Sequence, residues 1–308
     1  MLLPNFAKSL SSPLHPRCRL CLATGLLFLT QAASFASAPT ASSDSTQSDS
    51  RYGLWDMLDH RSSYGTFFFP EPILVGEMDV DNELRVDWFH TKAGDTHGDE
   101  FKTEIEKSFG LLTLELDVPY ERQNDAGVIT QGFGNIELAA RHPVYQYVSA
   151  NGLIDSTLGV MFEVGIPTNS PVSKNTEIVP KIFNTLRIGD HFTIQSLAGY
   201  SMLLGGGDEG GLQVFEYGIV FGYSIPKKQL PIPGVLQLVP IFEIKGEREL
   251  NGENAGKNSI VGDIGLRADL RAIGPIQPRP GVAFVFPMNG NARADMHWGV
   301  VVSMVFEY

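Results

Sequence analysis

MHWGVVVSMVFEY, residues 296–308, alternates between two kinds of side chain. Successive side chains of a β-strand point to opposite faces, so every second residue shares a face. One face then carries smaller or more polar residues such as Gly299, Ser303 and Glu307. The other carries Met296, Trp298, Val300, Val302, Met304, Phe306 and Tyr308. An apolar face with an aromatic residue near each end is typical of a transmembrane β-barrel strand, but a half-buried edge strand of a soluble sandwich has the same alternation.

The same period of two recurs from Leu84 onward. Residues 112–121 show it most clearly, because leucine, valine and tyrosine alternate there with threonine, glutamate, aspartate and proline. Most of the repeated segments reach the nine to eleven residues that a tilted strand needs to cross a bilayer. The pattern predicts about twelve antiparallel strands, at 84–91, 101–109, 112–121, 133–142, 155–166, 178–188, 191–203, 213–225, 235–247, 259–270, 278–287 and 296–308.

The connections between these strands favour a barrel over a soluble sandwich. Outer-membrane barrels alternate short periplasmic turns with longer external loops. Two alternate connections, at Gly110 and Gly189–Asp190, are very short, although 143–154 and 226–234 are longer than this rule prefers. An even strand number lets the last strand pair with the first, which removes both edges of the sheet. The predicted external connections are polar or glycine-rich, at 92–100, 122–132, 167–177, 204–212, 248–258 and 288–295.

The N-terminal region has the features of a secretory signal peptide. Basic residues at Lys8, Arg17 and Arg19 precede an apolar run, Leu20–Leu29, and small residues follow at 36–38. About ten apolar residues are too few for a transmembrane helix. We therefore expect cleavage after residue 38, which leaves residues 39–82 as a flexible periplasmic spacer or a plug segment in the barrel mouth, and 83–308 as the barrel.

Composition limits the partners of the mature chain. Residues 1–38 hold both cysteines, three of the 23 basic residues and none of the 35 acidic ones, so the remaining chain has a net charge of about −15. This charge argues against a nucleic-acid partner, which would need a basic surface. A chain without cysteine has no disulfide framework and no thiolate metal site, and no motif indicates a cofactor.

Charged residues recur on the face opposite the apolar one. Two pairs, Glu104 with Glu106 and Glu115 with Asp117, could act as general acid and base in a glycosidase-like reaction. Charges of both signs recur around the whole sheet, however, which favours a charged lumen. The predicted lumen-lining residues are Glu104, Glu106, Glu115, Asp117, Glu137, Arg141, Glu163, Lys181, Arg187, Glu243, Lys245, Arg267 and Asp269.

Three weaker patterns suggest other chemistry. Gly205, Gly207 and Gly210 have the spacing of a dinucleotide-binding loop, but such a loop needs a helix after it. The acidic run 79–83 offers oxygen ligands without the glycine and distal glutamate of a calcium loop. The histidines lack a nearby serine in the arrangement expected for an outer-membrane lipase. We therefore predict no catalytic residues and no metal site.

Three stretches resemble a known family: TEIEKSFGLLTLELDVPY at 103–120, GFGNIEL at 132–138 and VPIFEIKGERE at 239–249. They are similar to the outer-membrane proteins named for the MetA pathway of phenol degradation, and the likeness covers roughly 101–308. The resemblance implies a bacterial outer-membrane barrel that passes small compounds, with aromatic ones among the candidates. It identifies no substrate.

The sequence thus predicts a porin-like, non-enzymatic protein of the Gram-negative outer membrane that transports small molecules by diffusion through a charged lumen. The alternative is a closed barrel with a structural or binding role, and an outer-membrane hydrolase is a third, less favoured class. Expected partners are outer-membrane lipid, a small solute of unknown identity and the barrel-assembly machinery. Phe306 and Tyr308 form the aromatic terminus that this machinery would recognise.

Overall fold

The computed structural model describes residues 70–76, 78, 82–205, 209–230 and 232–308. The predicted signal peptide and residues 39–69 lie outside this range. The strands are β1 Glu83–Ala93, β2 Thr96–Phe109, β3 Leu112–Asp125, β4 Val128–Phe133, β5 Ile136–Val148, β6 Ile154–Ile166, β7 Thr176–Ile188, β8 Phe192–Leu204, β9 Gln213–Tyr223, β10 Ile225–Pro226, β11 Val235–Glu249, β12 Asn258–Leu270, β13 Gln277–Pro287 and β14 Trp298–Glu307. A short helix, α1 Gly290–Asp295, precedes β14.

These strands close into an antiparallel barrel. Neighbours in sequence pair with each other, and β14 returns to β1 with Phe306 opposite Leu84. Strands β4 and β5 act as one interrupted strand, because β4 pairs with one half of β3 and β5 with the other half. The two-residue β10 extends the edge of β9 along β11. The predicted twelve-strand all-β barrel is therefore confirmed.

The two ends of the barrel differ in their connections. We call the end at which β1 begins and β14 ends the terminal rim, and the other end the loop rim. At the loop rim the predicted loops 92–100 and 122–132 are wrong, since β1 and β2 are joined at Gly94–Asp95 and β3 and β4 at Ala126–Gly127. Gly94, Ala126 and Gly127 have positive φ angles, as tight hairpins require. Polar residues there continue the strand ladders beyond the apolar band.

The outer face of the barrel is apolar and the inner face is polar. On β6, Val160 and Phe162 are exposed on the outside, whereas the alternating Glu163 is buried inside. A soluble sandwich would bury the apolar set and expose the charges. The outer surface is therefore suited to lipid, as in transmembrane barrels. Among the described residues, no helix combines the length and the hydropathy of a membrane span.

The last strand shows this alternation with one correction. Trp298, Val300 and Val302 lie on the outer face as predicted, but Met296 is buried. Strand β14 begins only at Trp298, because Met296 caps the C-terminus of α1 and its N–H donates to the Ala292 carbonyl at 2.8 Å. The alternation therefore does not extend back to Met296.

Candidate functional site

The inner face of the strands, here called the wall, carries the charged residues singled out from the sequence. Eleven of the thirteen are buried, and Glu115 and Glu137 are half-buried, on strands β2, β3, β5, β6, β7, β11 and β12. Their side chains alternate with the exposed apolar residues of the same strands. The predicted residues therefore lie on the wall, and their role in solute selectivity stays a prediction.

A dense ion-pair network joins β2, β3 and β5. Glu104 lies opposite Asp117 and Glu106 opposite Glu115 in the strand register. The Arg141 guanidinium donates to Glu106 Oε1 at 2.6 Å and to Glu115 Oε2 at 3.0 Å.

Lys102 pairs with the other two carboxylates of this network, Glu104 and Asp117. Its Nζ donates to Asp117 Oδ2 at 2.9 Å and also to Glu104. Oxygens of Glu104, Glu115 and Asp117 come within 4.8 Å of one another, a spacing that would suit a metal ion. Because each of these carboxylates already pairs with Lys102 or Arg141, the arrangement favours a charged lumen over an acid–base pair or a metal centre.

A second group on the wall spans β6, β7 and β9. Lys181 Nζ donates to Glu163 Oε2 at 2.6 Å and lies 3.9 Å from Glu216 Oε2. Nearby, the Ser201 hydroxyl donates to Glu177 at 2.5 Å. These contacts connect neighbouring strands through their inward side chains.

The described part of the N-terminal segment lies inside the barrel. Residues 70–75 and 78 are buried, and Ile73, Leu74, Val75 and Met78 are each at most 2% exposed. They belong to a hydrophobic cluster with wall residues from several strands. We call residues 70–76 and 78 the plug. Of the two alternatives left open for residues 39–82, a plug in the barrel fits these residues.

The plug backbone is held by one wall carboxylate. Glu243 on β11 accepts hydrogen bonds from the N–H groups of Ile73 at 2.5 Å, Leu74 at 3.0 Å and Val75 at 2.7 Å. Arg85 on β1 donates to the Ile73 carbonyl at 3.1 Å. Backbone groups that left water are therefore paired with the wall, which removes the main cost of burying an irregular segment.

The plug also places its own carboxylate between two wall arginines. Arg279 Nη1 donates to Glu71 Oε1 at 2.6 Å, and Arg267 Nη1 lies 3.5 Å from Glu71 Oε2. Arg267 further donates to the backbone carbonyls of Glu71 at 3.0 Å and Pro72 at 3.2 Å. All three charged side chains are almost completely buried.

Wall glycines make room for the plug. A Cβ atom placed on Gly218 would lie 2.6 Å from Val75 Cγ1, and one on Gly265 would lie 2.9 Å from Ile73 Cδ1. A Cβ on Gly222 would lie 2.6 Å from Pro70 Cγ, whereas one on Gly281 would only touch Ile73 Cδ1, at 3.4 Å. Side chains at Gly218, Gly222 and Gly265 would occupy the space of the plug.

Elsewhere the lumen is narrow. Phe89, Met161 and Phe183, the bulky inward residues noted from the alternation, are all buried. A cavity of about 20 Å³ lies between Phe89, Glu121 and their neighbours, which is room for about one water molecule.

The weaker patterns of the sequence can be compared with the structure only where their residues are described. Gly205 follows the end of β8 at Leu204, and the chain continues into β9 at Gln213 and not into the helix that a dinucleotide-binding loop requires. Asp79 and Asp81 lie outside the described residues. At the loop rim, His90 Nδ1 lies 2.9 Å from Asp99 Oδ1, and the His90 ring lies 5.6 Å from the Trp298 ring at an angle of 51°. This position suits an interfacial aromatic girdle.

Several residues of the lumen were not among the predicted lumen-lining residues: Glu71, Arg85, Lys102, Asp263 and Arg279. Arg85, Lys102, Asp263 and Arg279 follow the period of two of their own strands, so the alternation contained the signal for them. No sequence signal indicated Glu71, because its segment has no strand period and its arginine partners are about 200 positions away in the chain.

No family model and no curated protein match the chain, so the family resemblance of the three stretches is not supported by these comparisons. Solved structures do share the fold. An outer membrane channel from Pseudomonas putida F1 aligns with a TM-score of 0.51 at 12% identity, over 78% of this chain and 100% of that one. The NanC porin aligns at 0.45 and 8% identity, over 73% and 98%. LpxR from Salmonella typhimurium aligns at 0.39 and 9%, over 73% and 100%. At these identities only the barrel fold is shared.

Proposed function

We propose that this protein is a channel of the bacterial outer membrane that passes small solutes, and that its own plug closes it in the state described. The observation that carries the proposal is the set of three wall glycines, Gly218, Gly222 and Gly265, at which any side chain would clash with the plug. A barrel built only for stability would fill this space with wall side chains. The wall instead leaves a space that a separate segment of the chain fills.

The outer surface and the fold support the location. Exposed apolar side chains surround the barrel, and solved outer-membrane proteins share its architecture. The solutes are small molecules, with hydrophobic or aromatic compounds among the candidates. They cross by diffusion past the charged wall after the plug moves, and fixed wall charges set their selectivity.

The alternative is a permanently closed barrel with a structural or binding role. The three backbone hydrogen bonds to Glu243 and the ion pairs of Glu71 favour it, because they hold the plug firmly. The two functions differ in one respect, which is whether the plug leaves the lumen. A reversible lock on the plug therefore distinguishes them.

Val75→Cys with Gly218→Cys creates such a lock. The Val75 Cβ is 3.4 Å from the position of a Cβ on Gly218, close to the separation in disulfides, and the chain after residue 38 has no other cysteine. Purified protein is compared in planar bilayers and in liposome-swelling assays before and after reduction. We expect no conductance or solute flux when the disulfide is formed, and both after reduction.

The two single-cysteine variants are the controls, since neither can form the lock and both should be insensitive to reductant. Equal flux in the oxidised and reduced double variant would mean that solutes pass without plug movement. No flux in any form, including wild type, would favour the permanently closed barrel.

A further inference from the structure

We propose that Glu71 occupies a carboxylate-binding site of the channel, and that small monocarboxylic acids with an apolar body bind to Arg267 and Arg279 when the plug leaves. The inference rests on the proposed function, because the site becomes free only if the plug moves. It names the chemical class of solute that the lumen would select. The plug is then an internal competitor for the site of the solute.

Arg267 depends on the plug for its counter-charge. Within the part of the chain that the structure describes, Glu71 is the one carboxylate within ion-pair distance of Arg267. Arg279 is different, because Asp269 lies 3.5 Å from its Nε and Glu307 also pairs with it. Withdrawal of the plug would therefore leave Arg267 buried without a carboxylate in ion-pair contact, which is strongly unfavourable. An incoming carboxylate removes this penalty and makes opening easier.

The arginine remains positioned for a ligand after the plug has left. Arg267 Nη1 donates to the Arg279 carbonyl at 3.1 Å, and Nη2 donates to the Ser303 hydroxyl at 3.2 Å. Both partners belong to the wall and not to the plug. A planar guanidinium held in this way presents its remaining N–H groups to a carboxylate in a fixed geometry.

An apolar subsite adjoins the arginines. Ile73, one residue beyond Pro72, packs against Gly265 and Gly281, and the surrounding cluster includes Val239, Ile241 and Ala283. When the plug leaves, this apolar surface needs a new apolar partner. A small acid with a hydrocarbon or aromatic body supplies one, whereas chloride or phosphate does not.

Glu243 and Asp263 disfavour a second negative charge on the solute. They lie opposite each other on β11 and β12, and both are completely buried. Once the plug is gone, Glu243 loses the three N–H groups that it accepts from. A dicarboxylate would bring a second charge towards these acidic groups with no cation to pair with it, so the cost of burying an unpaired charge selects monocarboxylates.

The test measures binding to the purified full-length mature protein at neutral pH by calorimetry, with hexanoate as the probe. Glu71→Gln keeps the shape of the plug and removes its charge, so hexanoate should bind about tenfold or more tightly than to wild type. Arg267→Gln in the Glu71→Gln background should remove this gain. Hexanol and adipate should bind at least about tenfold more weakly than hexanoate.

Arg271→Gln in the Glu71→Gln background is the matched control. It removes the same charge four positions along the chain from an exposed side chain, and hexanoate affinity should not change. Heat-modifiable migration on gels verifies that each variant is folded. Equal binding of hexanoate and hexanol, or unchanged binding after Arg267→Gln, would overturn the inference.

The binding test and the conductance test can have opposite outcomes, so they distinguish failure of the carboxylate site from failure of the channel. If the reduced cysteine double variant conducts but hexanoate does not bind, the carboxylate site is wrong and the channel stands. If hexanoate binds through Arg267 but no variant conducts, the protein is a binding barrel and the channel is wrong.

Discussion

Arg141 shows how individual charges stabilise the inside of the barrel. Its guanidinium is buried between Glu106 on β2 and Glu115 on β3, and it reaches them from β5. The pairing therefore links three strands through their inward side chains as well as through their backbone ladders. A buried ion pair of this kind contributes little relative to a well-packed apolar replacement, but the loss of one partner leaves an uncompensated charge.

Arg141→Met should lower the free energy of unfolding by about 3–5 kcal/mol, because Glu106 would stay buried without its cation. Urea unfolding in lipid or detergent measures the change. Arg122→Gln is the control, since Arg122 is 41% exposed and 3.5 Å from Asp99, and it should cost less than about 1 kcal/mol.

A second variant separates charge from packing at this position. Glu106→Gln combined with Arg141→Met removes the orphaned charge and should recover part of the lost stability. A double variant less stable than Arg141→Met alone would contradict this account of the network.

At the scale of single residues, the sequence predicted which side chains face inward but not which partners they have. Arg267 was assigned to the lumen from alternation on its strand. Its pairing with Glu71 depends on the path of a segment that has no period, so no local pattern contains it. Lys102 was missed although it lies on the same face as Glu104, because only the carboxylate pairs were considered there.

Strand β14 closes the barrel, and its last residues complete several contacts. Phe306 pairs with Leu84 across the β1 seam and with Pro278 on β13. The Tyr308 N–H donates to the Asn82 carbonyl at 2.9 Å, and its hydroxyl to the Glu106 carbonyl at 3.3 Å. The intervening Glu307 pairs with Arg279. Deletion of all three residues would therefore disturb the lumen as well as the aromatic terminus.

Point variants test the predicted assembly signal without this side effect. Phe306→Ala with Tyr308→Ala keeps Glu307, and it should reduce the amount of folded protein in the outer-membrane fraction several-fold if the assembly machinery recognises these rings. Phe162→Ala on β6 is the control, because it removes an equally large outward ring away from the seam. Equal membrane levels for the two variants would contradict a recognition role for the terminus.

At the scale of elements, all twelve strands were predicted because a lipid-facing strand must alternate along its whole length. Two loop-rim connections were predicted too long, since the hairpins at Gly94–Asp95 and Ala126–Gly127 continue the ladders with polar residues. The helix α1 was missed because its six residues, which follow the N-cap Asn289, are too few to give a periodic signal. The plug was left as one of two alternatives, because burial inside a barrel is decided by partners distant in sequence.

The whole molecule has an excess of negative charge on its inner surface. Thirteen acidic and seven basic side chains of the strands are buried. Glu71 is the one acidic plug residue among those described, so withdrawal of the plug leaves the wall acidic. Fixed charges of one sign attract counter-ions and repel co-ions in a narrow pore. The open barrel should therefore discriminate between small ions by their sign.

We expect the reduced Val75→Cys/Gly218→Cys channel to prefer potassium over chloride, measured as the sign of the reversal potential in a potassium chloride gradient. Glu243→Gln should weaken this preference, because it removes one of the acids that the departing plug exposes. Anion preference in the reduced channel would contradict the acidic-wall interpretation. An acidic wall does not attract anions in general. A carboxylate solute would therefore need both the ion pair with Arg267 and contacts with the apolar subsite. Only an acid whose hydrocarbon body replaces the plug would gain enough binding energy from the two.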